Sequence, residues 1–457
     1  MTYEEFLKSK QITINPSGFD CELLNAYPFD FQRDICKWNL KKGKSADFLD
    51  TGLGKSLIQL IWADEVCRYT GSKVLILAPL AVSKQTIREG QKFGIKVNAC
   101  RSHIDTAQGI NITNYEMLHH FDINEFAGIA LDESSIIKSF SGKTTQQILD
   151  LFRFTEYKLA CTATPAPNDY EELGNHAEFL GIMSRSEMLA TFFVHDSGDT
   201  AKWRLKGHAE IEFWKWIASW AMVVKNPEDL GYDGSKYKLP KLNIKTHFVE
   251  SPNNENMFIV LPAQTLDERR QARKESLQDR VNKTVELTQG TNNCLVWCDY
   301  NDESTALTKA INGAVEVKGA DTPEHKENAM IGFATGDVKY LVTKPKIAGF
   351  GMNWQNCNNM IFCGLSDSYE KFYQAVRRCY RFGQTKEVNV HVVLSEKEES
   401  VLENIKRKEA QAQKMSRNMV ALTSEILKNE IRNTTRNVID YNPKQRIEIP
   451  LWLKEVI

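Results

Sequence analysis

The chain has 457 residues, 42% of them hydrophobic and 26% charged, with 58 basic side chains against 59 acidic ones and a formal net charge of −1. That length allows two or three globular domains, the apolar content excludes a disordered chain, and the charge balance confines any nucleic-acid contact to a local basic face. The ten cysteines show no paired spacing, Cys294 and Cys298 being the closest in sequence, and no histidine cluster completes a zinc site around them. They read as reduced, mostly buried thiols of a cytoplasmic protein. The stretch MTYEEFLKSKQITINP lacks the apolar core of a signal peptide, and no run is long enough to span a membrane.

In chain order, SADFLD is a strand candidate, LDTGLGKS a glycine loop, and SLIQLIWADEVCRYT a helix with apolar residues at Leu57, Leu60, Ile61 and Val66. The strict phosphate-loop pattern wants a glycine where this chain has Leu49. A glycine loop joining strand to helix nevertheless makes a phosphate cradle. From Thr51 through Gly52, Leu53 and Gly54 to Lys55, backbone N–H groups can face phosphate oxygens, the helix N-terminus adds its dipole, and Lys55 reaches the terminal phosphates. Ser56 can ligate magnesium.

KVLILAPL then reads as a buried parallel strand, INITNYEML follows, and FAGIALDESS is a strand ending in two acids. Strand and helix in alternation imply a parallel sheet covered by helices. Asp132 and Glu133 sit at the C-terminal end of their strand, where ligands bind in open α/β sheets. Asp132 can hold Mg²⁺ through water and Glu133 can orient or deprotonate the attacking water. Taken alone, the same pair reads equally well as a cap on the next helix.

YKLACTATPAPND is a strand running into a Thr-Ala-Thr-Pro turn. Beyond it, from Asn168 to Leu239, lies a stretch with Trp203, Trp214, Trp216 and Trp220 close together. Ile211 to Val224 is apolar nearly all round, which predicts a helix buried in a small helical bundle. KWRLKGH before it is basic and aromatic at an expected turn. LDERRQARKESLQDRVNKTVEL predicts a charged helix, NCLVWCDYNDESTAL a strand and helix, KYLVT a strand followed by the glycine loop Gly349 to Gly351, and NMIFCGL and VNVHVVLS further strands. In QAVRRCYRFGQ, Arg378 and Arg381 are three apart and share a face if helical, with a solvated basic face as the alternative. The tail from KEESVLENIKRK to ILKNEIRN has helical propensity, either bracing a lobe or binding a partner. A lobe holding only Lys55, Asp132 and Glu133 leaves one side of a γ-phosphate without a positive partner, which an arginine from a second lobe would supply on closure.

In this order, DTGLGKS, DESS, TATP and QAVRRCYRFGQ resemble motifs I, II, III and VI of the superfamily-two helicases, and within them of the Swi/Snf-related DNA translocases. The likeness runs from Phe31 to Leu394. Wording such as GFGMNWQ and YRFGQ is similar to compact helicases of bacteriophages and prophages. The resemblance implies an α/β fold of two RecA-like lobes in tandem, at 1–167 and 251–400, with a helical Trp-rich insertion at 168–250 and a C-terminal helical extension at 401–457. It implies ATP and Mg²⁺, with Gln32 in FDFQRD reading adenine and Gly351 among the nucleotide contacts. Thr162, Thr164 and Gln374 become coupling residues, and Arg381, with Arg378 beside it, the arginine finger. Lys84, Gln85, Asn114 and Thr343, near motifs Ia, Ib and V, become the expected DNA-backbone contacts. Lys202, Arg204 and Lys206 are a further grip, with plain solvated charge as the alternative. Two positions depart from the family pattern: Arg377 stands where many Swi/Snf proteins have an acid, and Ser134 and Ser135 stand where Ala-His or Gly-His is usual.

Three functions fit these readings. The first is an ATP-driven motor on DNA, duplex favoured over single strands, working as a monomer in a bacterial cytoplasm away from any membrane. It would serve phage or mobile-element DNA replication or processing, beside replication or nuclease partners. The second is a non-motor ATP switch that times release of a partner. The third, a P-loop phosphotransferase, leaves the second lobe without a purpose.

Overall fold

The computed structural model describes residues 16–432, apart from 26, 197–198, 251–265 and 349–351. Short runs of Val, Ile, Leu, Ala and Phe build its two main sheets. The first contains β1 (Lys44–Leu49), β2 (Lys73–Ala78), β3 (Val97–Ala99), β4 (Ile110–Asn114), β5 (Phe126–Asp132) and β6 (Tyr157–Cys161). After a hairpin of β7 (Phe193–Asp196) and β8 (Asp199–Leu205), β9 (Ala221–Val224) completes it, in the order β3-β4-β2-β5-β6-β1-β9. Every neighbouring pair is parallel. Burial on both faces explains why β2, β5 and β9 are apolar nearly throughout, whereas β1 and β4 alternate with buried polar residues such as Asp47 and Asn111.

This order aligns the chemistry. Asp47 of β1, Cys161 of β6 and Asp132 of β5 lie in one row across the sheet. The glycine loop, the Thr-Ala-Thr-Pro turn and the acid pair therefore leave the sheet side by side. At the outer edge, Asp50 N donates to Val224 O at 2.9 Å, so β9 fixes where the glycine loop begins.

The second sheet contains β10 (Leu242–Val249), β11 (Cys294–Trp297), β12 (Ala314–Val317), β13 (Tyr340–Thr343), β14 (Asn359–Cys363) and β15 (Val388–Ser395), ordered β10-β15-β14-β11-β13-β12 and again parallel. The chain is thus two α/β lobes, each built on a parallel sheet, followed by a long helix, as expected of the fold class.

Three local expectations are corrected. The apolar run from Ile211 to Val224 is a helix only over Glu210–Ala218 and then becomes β9. Trp214, Trp216 and Trp220 belong to the first lobe's core and not to a separate bundle. KWRLKGH lies mostly in β8, paired antiparallel with β7, and not at a turn. The charged segment after residue 265 is two helices, Leu266–Glu275 and Leu277–Thr288. Part of its charge is turned inward, with Arg273 and Arg280 buried on Glu303 at 2.7 and 2.9 Å, while Lys274, Glu275 and Asp279 are exposed. β10 shows that the second sheet begins within the stretch expected to be insertion.

The C-terminal helix Glu399–Ile431 crosses both lobes. Val401, Leu402 and Ile405 join the second lobe's core, whereas Met415, Met419 and Leu427 join cores of the first. Trp38 Nε1 donates to Glu430 at 2.7 Å near its far end. All ten cysteines are free, nine of them buried. Among the described residues, no helix is long and apolar enough to cross a membrane.

Candidate active site

Gly52 and Gly54 both have left-handed backbones, φ 91° and 85°, which a side chain would strain. Space demands glycine too: a Cβ on Gly54 would meet Gln32 Nε2 at 2.2 Å, and one on Gly52 would meet Phe382 Cβ at 2.8 Å. Gln32 supports the loop, donating from Nε2 to Leu53 O at 2.9 Å and accepting from Phe29 N at 3.0 Å. Both ends of its amide are thereby engaged by the chain. Around it, Tyr237 stands 6.5 Å from Phe29 and 4.7 Å from Phe382 between ring centroids, which gives a base apolar faces to stack on.

Lys55 folds back on its own loop, donating from Nζ to Leu49 O at 2.8 Å and Asp50 O at 3.2 Å. Burial lowers its pKa, opposed by the carboxylates of Glu133, Asp50 and Asp132. Asp132 is pushed up to about 7, first by burial and then by Glu133. Glu133 is raised by burial as well, while Lys55, Arg378 and Arg381 pull it down. Among the described residues, neither of these adjacent acids has a cation within ion-pair distance, although Lys55, Arg378 and Arg381 act on Glu133 from further off. Glu133 has φ 52°, the one non-glycine residue with positive φ among the described residues, and its Oε2 has no hydrogen-bond partner. Strain of that kind persists where surrounding structure enforces it.

The helix Leu173–Leu180 does the enforcing. Ser134 Oγ lies 3.0 Å from His176 Nε2, and Asn175 Nδ2 donates to Ile137 O and Lys138 O at 2.8 Å each. Burial lowers His176 to about 4, so the ring is neutral. Neither residue stood out in the sequence, where they are two polar positions on an apolar helix.

From the second lobe, the helix Tyr369–Val376 and the turn after it bring Gln374, Arg377, Arg378 and Arg381 to the same cleft. Arg378 is buried and tied to Gln374 O at 3.1 Å, Gln374 Oε1 at 3.2 Å and Met352 O at 3.2 Å. Arg381 bonds to Asn353 Oδ1, and its Nε has no partner. Burial, followed by Arg378, drives its pKa down to about 9. A guanidinium keeps its proton even so, and an anion beside it would relieve the unfavourable charge. Thr164 reaches across to Glu370 Oε1 at 3.4 Å, and Lys138 bonds the same carboxylate. Thr162 Oγ1 accepts from Thr164 N at 3.1 Å and holds the turn.

Arg377 explains its own departure from the family pattern. Its acid is Asp50, at the head of the glycine loop in the other lobe, 2.9 Å from Nη2. Nη2 also donates to Thr51 O at 3.1 Å, Nε bonds Thr51 Oγ1, and Tyr373 OH donates to Asp50 Oδ1 at 2.6 Å. Charge-assisted hydrogen bonds of this kind are worth roughly 1.5–3 kcal/mol. Arg377→Ala and Asp50→Asn should each raise the KM for ATP, and the double variant should be little worse than either. A coupling of at least about 1 kcal/mol in that cycle is expected, and additive effects would show that the pair does not act as a unit.

The expected DNA contacts are less uniform. Lys84 pairs with Glu327 of the second lobe at 2.8 Å, and Arg88 joins the same carboxylate. Gln85 donates to Glu89 at 2.8 Å, and Asn114 caps a short helix by accepting from Met117 N at 3.1 Å. Thr343 is corrected: it ends a strand flanked on both sides, is fully buried, and gives its hydroxyl to Val317 O at 2.9 Å. Lys206 donates to Ala190 O and Thr191 O at 2.9 Å each, whereas Arg204 is exposed on β8. Gly351 and the side chain of Lys202 lie outside the described residues.

Residues 276–383, which carry Gln374, Arg378 and Arg381, match the family model described as helicase conserved C-terminal domain. No curated protein matches the chain. Among solved structures it is similar to the Sulfolobus solfataricus SWI2/SNF2 ATPase core in complex with dsDNA, at 18% identity over 92% of this chain and 98% of that one, with a TM-score of 0.41.

Proposed function

We propose that this protein hydrolyses ATP between its lobes and uses the cycle to move along duplex DNA. The observation that carries the reading is the convergence of Lys55, Asp132 and Glu133 from one lobe with Arg378 and Arg381 from the other. ATP phosphates would lie along Gly52–Lys55, with Lys55 leaving the Leu49 and Asp50 carbonyls for the terminal phosphates. Asp132 and Ser56 would hold Mg²⁺, and the raised pKa of Asp132 suits a carboxyl in want of a cation. The ion would neutralise charge on the phosphates. Glu133 would take the proton of the attacking water as Arg381 meets the charge developing on the transferred phosphoryl. Thr162, Thr164 and Gln374 would couple the lobes, Thr164 through Glu370.

Nucleic acid as the track is supported by the helicase C-terminal match, and duplex tracking by the Swi/Snf-like form of QAVRRCYRFGQ. Lys84, Gln85 and Asn114, with Arg88 added, are the proposed backbone contacts of the first lobe, and Arg204 a peripheral one. A place in phage or mobile-element DNA processing rests on the GFGMNWQ and YRFGQ wording alone.

The test is steady-state ATP turnover without nucleic acid and with single-stranded DNA, duplex DNA or RNA across a salt series, paired with triplex displacement and fork unwinding. Duplex DNA should stimulate most, the stimulation should weaken steeply with salt as phosphate contacts release counterions, and a triplex strand should be displaced. Fork unwinding without triplex displacement would replace the translocase with a strand-separating helicase. Stimulation with neither would leave an ATP switch.

A further inference from the structure

Beside the Asp50–Arg377 pair lies a cavity of about 420 Å³ that Lys55, Asp132, Glu133, Arg378 and Arg381 do not line. The turn Thr164–Pro167 and the end of β9 at Val223–Lys225 form one wall. Leu242, Ile244 and the rings of Tyr369, Tyr373 and Tyr380 form the second, and Glu409 to Met419 of the C-terminal helix the third. Its volume falls within the roughly 300–1,000 Å³ of sites that bury small ligands. Its walls are apolar and aromatic, with charge confined to a few points.

Those points do not balance. Asp50 is already engaged by Arg377 and Tyr373. Lys225 and Arg417 also line the cavity, and among the described residues neither has a carboxylate within ion-pair distance. Burial lowers the Lys225 pKa, with Arg377 and Arg417 adding to that effect and Asp50 and Asp229 opposing it, and with Glu409 as the remaining acid the wall carries three cations to two carboxylates. Two exposed cations without an ion-pair partner among the described residues thus stand at the edge of an apolar, ring-lined space.

We propose that this cavity is an effector site for a small aromatic organic anion, whose acid group pairs with Lys225 and Arg417 while its flat body packs on the tyrosine rings and on Met415 and Met419. An occupant would touch both lobes and the bracing helix at once and would hold the lobe spacing seen here. Because Asp50 and Arg377 both line the cavity and hold Thr51, it would also slow ATP turnover, a consequence that rests on the function proposed above.

The test titrates the full chain with 1-anilinonaphthalene-8-sulfonate by fluorescence and calorimetry, in saturating non-hydrolysable ATP analogue so that the nucleotide cleft is blocked. One site is expected. The exposed positions permit Lys225→Glu with Arg417→Glu, which should weaken binding at least tenfold, and Ala412→Trp should fill the space and abolish it. Glu133→Gln, which keeps the analogue in the nucleotide cleft, should leave dye binding unchanged. Binding that the charge reversals shift by less than twofold, or that the analogue displaces, overturns the site. Binding that they abolish with no dye effect on wild-type turnover overturns the effector role. A chain that binds the dye as expected but never hydrolyses ATP refutes the ATPase reading and leaves the site standing.

Discussion

Glu133→Gln should bind ATP nearly as well as the unaltered protein and turn it over about 10²-fold more slowly or worse. The amide matches the carboxyl in volume, so the left-handed backbone at φ 52° and its support from Ser134, His176 and Asn175 are undisturbed. Only the base is lost. Lys55→Ala should instead weaken binding, because under the proposed function its ammonium is the first-lobe cation that would meet the phosphates. The pH profile gives an independent check. Asp132 is raised to about 7 in the metal-free cleft, so below that pH Mg²⁺ must displace a proton from it, and the Mg²⁺ concentration needed for half-maximal turnover should rise as pH drops through about 7. Turnover is measured by phosphate release and binding by a fluorescent ATP analogue. A Glu133→Gln protein with near-normal turnover would sink the assignment.

The glycine loop, the acid pair and the arginine turn were legible because each is written in consecutive residues next to an apolar strand or an amphipathic helix. Long-range pairings carry no such mark. Nothing near Arg377 announces that its partner is Asp50, nor does Lys138 announce Glu370, because the two members of each pair come from different lobes. β9 was missed for another reason: a strand buried on both faces and a buried helix are equally apolar, and four residues are too few for period to decide. Thr343 misled because a hydroxyl at a strand end looks available until the strand is seen to have neighbours on both sides, β11 and β12. The helix 399–431 was legible as a helix but not as a clasp, since its alternation of contacts between two cores depends on where the lobes lie.

That clasp decides how the requirement for both lobes should be tested. Removing everything beyond Leu239 would strip Met415, Met419 and Leu427 from the first lobe's cores, so a slow fragment could simply be an unstable one. Arg381→Ala leaves the cores intact. Its guanidinium has one bond, to Asn353, and a free Nε, so truncation should change the fold little. Arg378→Ala is the contrasting variant, because it orphans Gln374 Oε1 and Met352 O in a buried site and should lower thermal stability. An arginine finger is worth about 10³ to 10⁵ in turnover, and Arg381→Ala should lose about that much in single-turnover hydrolysis while binding ATP within a few-fold of normal. Arg381→Lys should recover little, since an ammonium keeps the charge but not the planar fork that spans two phosphate oxygens. Should Arg381→Ala hydrolyse bound ATP within tenfold of the unaltered protein, the second lobe does not complete the site, and the cleft would have to be read as a binding switch whose chemistry belongs to the first lobe alone.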